Sequence, residues 1–338
     1  MKKGLIISGL ILLVLAIILV ISLSFTKEDN KIEESQYKDD KVPVITIKND
    51  RVNIDADTEY KFEDNIEVTF GADGGTVECL DTNLVIGENT ITCKALGKNG
   101  KQAEVSYTTL VSATYNKSVI YFGDSITAGH LGKPKGTSWV NYIQSNYDLS
   151  NSVNAGISDY RVSTYDDRNK WLVTQVRNHY NDSTNYDFVI MQGGINDLLY
   201  DTPLGEMSDS FNAEDFDQNT FIGGLELYIH SVVNKWPDAR VGYIITYFTP
   251  NYVERGIKWS YEDHKAYYDA TIKVLDKWNI EYLDFFEGSY NGVKYSELLK
   301  VYSKDYLPDY LHLNNAGYEF VSSHIYEWMQ TLDKYSNN

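Results

Sequence analysis

The chain has 338 residues, with 30 lysines and arginines against 48 aspartates and glutamates, and a formal net charge of -18. Hydrophobic residues make up 43% of the sequence, which is enough for a substantial core and excludes a wholly disordered protein. So much negative charge repels a phosphate backbone, and we therefore expect no nucleic-acid partner.

The first predicted element is an apolar helix at the amino terminus. Lys2 and Lys3 precede a nearly unbroken hydrophobic run that ends at Phe25. About 20 such residues match the ~30 Å hydrocarbon core of a bilayer. The sequence therefore predicts a membrane anchor over residues 1–25, and a single-pass protein of the cell membrane whose bulk is extracytoplasmic. Cleavage of the same segment as a signal peptide, giving a secreted protein, is the alternative.

Two further segments precede the longest predicted domain. Residues 26–41 carry charges of both signs and few apolar side chains, which is typical of a solvated stalk. Residues 42–112 contain short predicted strands, and apolar residues that alternate on both sides of Asn99-Gly100 predict a hairpin with one buried face. The strand spacing suits a small β-sandwich. In pattern, the segment resembles the Ig-like modules of bacterial surface proteins.

The only two cysteines, Cys79 and Cys93, belong to this β-rich segment. An oxidising compartment makes a disulfide between them the preferred interpretation, and a buried pair of free thiols is the alternative. Two cysteines alone cannot form a structural zinc site. The histidines show no metal-binding spacing such as H-E-x-x-H. We therefore expect no metal and no other cofactor.

The periodicity changes after Lys117. Five apolar runs typical of strands alternate with longer segments of helical spacing, up to a last predicted helix near the end of the chain. This alternation predicts an α/β domain over residues 117–335, in which helices cover both faces of a five-stranded parallel sheet. Ligands of such sheets bind beyond the carboxyl ends of the strands. Residues able to do chemistry should therefore follow the strands directly.

Four short motifs lie at such positions. The first strand ends in Gly-Asp-Ser-Ile at 123–126, Gly156 follows the second, Gly-Ile-Asn-Asp at 194–197 follows the third, and Asp-Tyr-Leu-His occupies 309–312. In these motifs and their order the chain resembles the SGNH hydrolases, the GDSL family of esterases and lipases. The resemblance covers residues 117–335 and implies the three-layer α/β/α, flavodoxin-like fold of that family.

The residue types in these motifs fit serine ester hydrolysis. A serine needs a base to accept its proton, so Ser125 is the candidate nucleophile and His312 the candidate base. Asp309 would orient the imidazole and stabilise its charged form. The backbone N–H groups of Ser125 and Gly156 and the side-chain amide of Asn196 are the candidate oxyanion donors.

Each of these residues also has a purely structural interpretation. Ser125 could cap the helix that follows it, and Asn196 with Asp197 could stabilise a loop turn. The joint occurrence of the four motifs favours catalysis over these interpretations. We expect Asp124 and Asp197 to support the site as hydrogen-bond acceptors, and not to act as the acid of the triad.

Two details bear on the class of the site and on its walls. The serine is not in the G-x-S-x-G elbow of α/β-hydrolases, because Thr127 stands at the second glycine position, and that fold is only a distant alternative. After Gly156 the chain carries Asp159 and Tyr160, where relatives in the SGNH family often have small residues. We expect this difference and the nearby His130 to affect the wall of the cleft and not the chemistry.

The resemblance implies a serine esterase outside the cytoplasm that removes small acyl groups, in particular acetyl, from carbohydrate. Its partner would be an acylated carbohydrate or another small ester. One alternative is an O-acyltransferase that uses the same residues with a partner protein, since a sugar hydroxyl can replace water in deacylation. The other is a surface binding or adhesion protein without turnover. Product analysis tests the first alternative, and a Ser125→Ala variant tests the second.

Overall fold

The computed structural model describes residues 40–80, 83–252 and 256–335. The chain divides into two compact units. The first comprises the described residues up to Val52 together with Glu59–Leu110, and the second comprises Asn53–Thr58 together with the residues from Val111 onwards. These divisions lie close to the predicted domain boundaries, which remain predictions.

The predicted location in the cell membrane is overturned by one finding. Over the described residues, no helix is both long enough and apolar enough to cross a bilayer. The segment on which the prediction rested, 1–25, and most of the predicted stalk, 26–41, lie outside the described residues. We therefore withdraw the single-pass location.

The amino-terminal part of the structure consists of strands and one short 3-10 helix, Phe62–Asn65. Its strands are β1 (Val44–Ile47), β2 (Arg51–Asp55), β3 (Ile66–Thr69), β4 (Gly75–Cys79), β5 (Gly87–Gly97) and β6 (Gln102–Ser112). Four of them form a sheet in the order β2-β6-β5-β4, and β1 pairs antiparallel with β3 in a second sheet. The Ig-like character of this part remains a prediction.

Strands β5 and β6 occupy the place of the predicted hairpin. Ile91 and Cys93 are buried, whereas the residues beside them are exposed or half-buried, so one face of β5 is covered. The connecting turn contains Gly100, whose φ of +80° lies in the left-handed region that glycine adopts without strain. A disulfide joins Cys79 to Cys93, and these two residues face each other in the paired strands β4 and β5.

The second unit is built on a parallel sheet. Its strands are β7 (Ser118–Phe122), β8 (Asn151–Asn154), β9 (Phe188–Gln192), β10 (Arg240–Ile245), β11 (Asn251–Tyr252), β12 (Ile257–Lys258), β13 (Glu281–Asp284), β14 (Ser289–Tyr290) and β15 (Val293–Lys294). Five of these form the sheet in the order β13-β10-β9-β7-β8, with every pair parallel. The predicted five-stranded parallel sheet is confirmed, and its strand order is the flavodoxin-like one.

Helices connect the strands of this sheet. They are α1 (Ser125–Ala128), α2 (Trp139–Asn146), α3 (Leu172–Asn178), α4 (Ile195–Leu199), α5 (Phe221–Lys235), α6 (Tyr261–Lys277), α7 (Tyr295–Leu298) and α8 (Asn315–Met329), with a 3-10 turn at Ala213–Asp215. Right-handed crossovers place α2 on one face of the sheet and α3, α5 and α6 on the other. The contacts agree, because α2 packs against α8, and α5 packs against both α3 and α6.

The centre of the sheet is the core of this unit. All five residues of β7 and all five of β9 are buried, because helices cover both faces of these strands. After β7 the chain forms β8 on one side of that strand, and it then crosses over β7 to form β9 on the other side. The carboxyl ends of β7 and β9 therefore flank the switch point at which ligands bind in such sheets. Ser125 follows the first of these strands and Asn196 the second.

Candidate active site

Ser125 is the first residue of α1, directly beyond the end of β7. The carboxylate of Asp124 caps this helix by accepting the N–H of Ile126 at 2.9 Å, so the capping function belongs to Asp124 and not to Ser125. A Cβ atom on Gly123 would lie only 2.6 Å from Oε1 of Gln192, in a space that cannot hold it. Because Asp124 supplies the cap, the hydroxyl of Ser125 is not needed to hold this turn.

The hydroxyl of Ser125 contacts a histidine that lies 187 positions later in the chain. Its Oγ is 2.9 Å from Nε2 of His312, and Nδ1 of the same ring is 2.7 Å from Oδ2 of Asp309. All three residues are buried: 6% of the surface of Ser125 is exposed, 3% of that of His312 and 6% of that of Asp309. A proton on Nδ1 donates to the carboxylate and leaves Nε2 to accept the hydroxyl proton of the serine.

Asp309 is held in place by the backbone beside it. Its Oδ1 accepts the N–H groups of Leu311, at 2.9 Å, and of His312, at 2.7 Å. Burial alone would raise the pKa of this carboxyl group. The hydrogen bond from the imidazole, the electrostatic attraction of that ring and the two backbone donors outweigh burial and hold the pKa below its ordinary value. Asp309 is therefore ionised at neutral pH.

Two buried glutamines support the turn that carries the nucleophile. Gln175 brackets Gly123, because its Nε2 donates to the carbonyl group at 2.9 Å and its Oε1 accepts the N–H at 3.3 Å. Gln192 donates from Nε2 to Oδ2 of Asp124 at 3.1 Å and accepts the hydroxyl of Thr127 at 2.9 Å. Asp124 is buried, and burial raises the pKa of its carboxyl group.

Asp197 anchors the neighbouring loop from within the core. Its carboxylate accepts the backbone N–H of Val162 at 2.9 Å and that of Ser163 at 3.1 Å. The residue is fully buried, and burial raises the pKa of its carboxyl group to about 6 even though these hydrogen bonds act in the opposite direction. Asp197 thus fixes the loop from inside and does not reach the cleft around Ser125.

This raised pKa predicts a pH dependence of stability that an Asp197→Asn variant should lack. The pKa is about 6 in the folded chain and 3.8 as the reference value. The contribution to stability is therefore fully present below pH 3.8 and is lost as the pH rises through 6. We expect the free energy of unfolding of the wild type, relative to the variant, to fall by about 2 kcal/mol between roughly pH 4.5 and 7.5. Urea unfolding of both proteins measures this difference, and parallel pH profiles would contradict it.

Three N–H groups were predicted as oxyanion donors, and the structure shows the present hydrogen-bond partners of two of them. Nδ2 of Asn196 donates one N–H to the carbonyl of Tyr160 at 2.9 Å, which orients the amide and leaves its second N–H for a ligand. The N–H of Ser125 is the first of its helix, where no intrahelical acceptor exists. The N–H of Gly156 donates to Oδ1 of Asn154 at 2.9 Å. A Cβ atom on Gly156 would lie 2.7 Å from the backbone N of Ala128, so this glycine packs directly against the helix that carries Ser125. Its role as an oxyanion donor stays a prediction.

The cleft around Ser125 is lined by residues from several parts of the chain. Its lining consists of Ser125, His130, Ser158, Asp159, Asn196, Leu199, Tyr252, Leu311 and His312. The loop after β8 thus contributes Ser158 and Asp159 to the lining. The ring of His130 lies 4.3 Å from that of His312, and the ring of Tyr252 meets the same imidazole edge-on at 5.6 Å. Mixed polar and aromatic walls of this kind suit a small polar ligand.

The chain is similar to one protein family and to several solved structures. A family model described as GDSL-like Lipase/Acylhydrolase matches residues 121–320. No curated protein matches the chain. One solved structure is 24% identical with a TM-score of 0.53, and the match covers 64% of this chain and 98% of that one, which shows the fold.

Two further solved structures carry the names of esterases. An inhibitor-bound aryl esterase of M. Smegmatis is 14% identical with a TM-score of 0.45, and the match covers 64% of this chain and 100% of that one. An acetyl xylan esterase, AlAXEase, is 19% identical with a TM-score of 0.39, and the match covers 62% of this chain and 98% of that one.

Proposed function

Because the chain belongs to the GDSL-like lipase/acylhydrolase family and is a serine ester hydrolase, we propose that it removes small acyl groups, in particular acetyl, from carbohydrate. We assign Ser125 as the nucleophile, His312 as the general base and acid, and Asp309 as the carboxylate that orients His312. The observation that carries this proposal is the buried series of contacts from the serine hydroxyl through the imidazole to the carboxylate.

In the acylation half-reaction, Oγ of Ser125 attacks the ester carbonyl carbon while Nε2 of His312 takes the hydroxyl proton. Asp309 keeps the proton on Nδ1 and stabilises the imidazolium that forms. Collapse of the tetrahedral intermediate breaks the bond to the alcohol oxygen, and His312 returns its proton to the departing sugar hydroxyl. The acyl group is then bound to the serine oxygen.

Deacylation repeats these steps with water as the nucleophile. Water attacks the acyl carbon and loses a proton to Nε2 of His312. The bond to Oγ of Ser125 then breaks, and the proton moves from the imidazole to the serine. The products are the free acid, acetic acid for an acetyl ester, and the enzyme in its starting state.

The negative charge on the carbonyl oxygen needs donors that are fixed in advance. The N–H of Ser125 and the second Nδ2 proton of Asn196 fit this task, and the contact of Asn196 with the carbonyl of Tyr160 holds the amide in place. The loss of one such donor typically lowers kcat by about 100- to 1000-fold.

The walls of the cleft support a small acyl group and a hydroxylated alcohol. Three polar side chains line it beside the assigned serine and histidines: Ser158, Asp159 and Asn196. The apolar part of the lining consists of Leu199, Leu311 and Tyr252. Only two of these side chains are aliphatic, whereas a long acyl chain gains its affinity from the burial of much apolar surface.

The test combines covalent labelling with product analysis on the full chain. A fluorophosphonate should label Ser125 with one-to-one stoichiometry, as located by peptide mass spectrometry. Acetylated xylo-oligosaccharides should release acetate, and aryl esters should react more slowly as the acyl chain lengthens from two to eight carbons. Labelling of another residue, or a preference for the octanoyl ester, would refute the proposal. Transfer of acetyl to an added sugar instead of water would identify a transferase.

A further inference from the structure

Asp159 is an acidic residue on the wall of the cleft that the reaction above does not use. Its φ of +70° lies in the left-handed region, which aspartate and asparagine tolerate better than most residues. Its Oδ2 contacts the ammonium group of Lys170, and its Oδ1 accepts the hydroxyl of Tyr200 at 2.8 Å. The hydrogen bond with Asp159 also raises the pKa of Lys170, which keeps this lysine charged.

Asp159 belongs to the lining of the same cleft as the nucleophile and the candidate oxyanion donor. Asp159, Ser125 and Asn196 line it together. The residue after Asp159, Tyr160, provides the carbonyl that orients the amide of Asn196. Tyr200, which binds the carboxylate, directly follows the helix that carries Asn196. The loop with Asp159 and Tyr160 therefore orients the candidate oxyanion donor Asn196 and also adds an acidic residue to the same cleft.

A negative charge in this position opposes the reaction. The transition state gathers negative charge on the carbonyl oxygen, and like charges repel most strongly where water is sparse. Lys170 contacts the carboxylate but is not part of the lining of the cleft. Its ammonium group can therefore neutralise Asp159 without occupying space that the substrate needs. The guanidinium of Arg161, stacked on the ring of Tyr200 at 4.5 Å, adds positive charge to the same region.

We propose that Lys170 is an electrostatic positioning residue of the esterase, which neutralises Asp159 so that its carboxylate does not oppose the developing oxyanion. This inference rests on the assignment of Ser125 as the nucleophile. The lysine acts through Asp159 and touches no reacting atom. Its charge favours the negatively charged transition state and has little effect on the binding of a neutral ester.

The size of the effect follows from the exposure of the pair. The side chain of Lys170 is 42% exposed and that of Asp159 is 26% exposed, so solvent screens both charges in part. We therefore expect a Lys170→Met variant to show a kcat for an aryl acetate about five- to ten-fold lower than that of the wild type, with KM nearly unchanged. Because ions screen the charge that Lys170 no longer balances, added salt should recover part of the loss.

The decisive experiment is a double-mutant cycle with Asp159→Asn. Asparagine tolerates the left-handed backbone and still accepts the hydroxyl of Tyr200, but it carries no charge. In the Asp159→Asn background, the Lys170→Met change should therefore no longer lower kcat. A Lys265→Met variant is the matched control, because Lys265 forms a comparable pair with Asp269 on α6 and is also 42% exposed. Its kcat should equal that of the wild type.

Three results would overturn the inference. One is an unchanged kcat in Lys170→Met, and another is an equal loss from Lys170→Met in both backgrounds. The third is a loss that does not respond to salt, which would indicate disordering of the loop. Labelling of Ser125 by a fluorophosphonate in the wild type separates these failures from failure of the proposed function. Thermal unfolding of each variant confirms that it is folded.

Discussion

The Ser125→Ala variant is expected to hydrolyse aryl acetates and acetylated oligosaccharides about 10⁴- to 10⁶-fold more slowly than the wild type. Among the residues that the structure describes, the hydroxyl of Ser125 forms a hydrogen bond only with Nε2 of His312, so its removal deletes the attacking atom and breaks no hydrogen bond that the fold needs. Asp124 keeps its cap on α1 in the variant. Steady-state kinetics with 4-nitrophenyl acetate measures the loss.

A second serine variant shows whether the loss belongs to this site. Ser323 lies on α8, where its hydroxyl donates to the carbonyl of Phe320 at 2.9 Å. Ser323→Ala should keep the kcat of the wild type. We expect the melting temperature of Ser125→Ala to stay within a few degrees of that of the wild type, since nothing else depends on the hydroxyl. Substantial turnover by a folded Ser125→Ala protein would remove Ser125 from the mechanism.

An Asp309→Asn variant is expected to lose about 10³- to 10⁴-fold in kcat while remaining folded. The amide oxygen of asparagine can still accept the N–H groups of Leu311 and His312, so its NH₂ group then faces Nδ1 of the imidazole. Because the NH₂ group donates, Nδ1 has to act as the acceptor, and the ring proton therefore moves to Nε2. In that tautomer His312 cannot accept the proton of Ser125.

The control for this variant is another aspartate of the same segment. Asp305 is exposed, and its Oδ2 contacts the ammonium group of Lys300 at 2.9 Å. Asp305→Asn should keep full activity. Rates measured with 4-nitrophenyl acetate under identical conditions compare the two variants directly. An Asp309→Asn protein within ten-fold of the wild type would mean that His312 needs no carboxylate, and the assignment of Asp309 would then fail.

Much of the fold was predictable because its elements differ locally in pattern. The strands β7 and β9 are continuous buried runs of β-branched and aromatic residues, and the segments between them have helical spacing. The positions of Ser125 and Asn196 were predictable because both residues lie only a few positions beyond the end of such a strand. The contacts of His312 could not be derived from spacing, and its role came from the resemblance to a family.

Features that depend on the backbone conformation or on distant packing could not be predicted in this way. The left-handed backbone of Asp159 is one such feature, because it brings a residue other than glycine into the lining of the cleft at a φ of +70°. The two hydrogen bonds between Gln175 and Gly123 join residues 52 positions apart, and no local pattern predicts them. Tyr252 lies in the connection after β10 and lines the cleft, and no local sequence pattern predicts this position.

The distance along the chain between Ser125 and His312, 187 positions, has a consequence for biosynthesis. During synthesis on the ribosome, a nascent chain exposes its nucleophile long before the segment with the base has been made. The β7 strand and its serine can therefore emerge, and even begin to fold, in a form that cannot cleave esters. Turnover in a translation reaction would accordingly report completion of the domain, and its onset would time the last steps of folding.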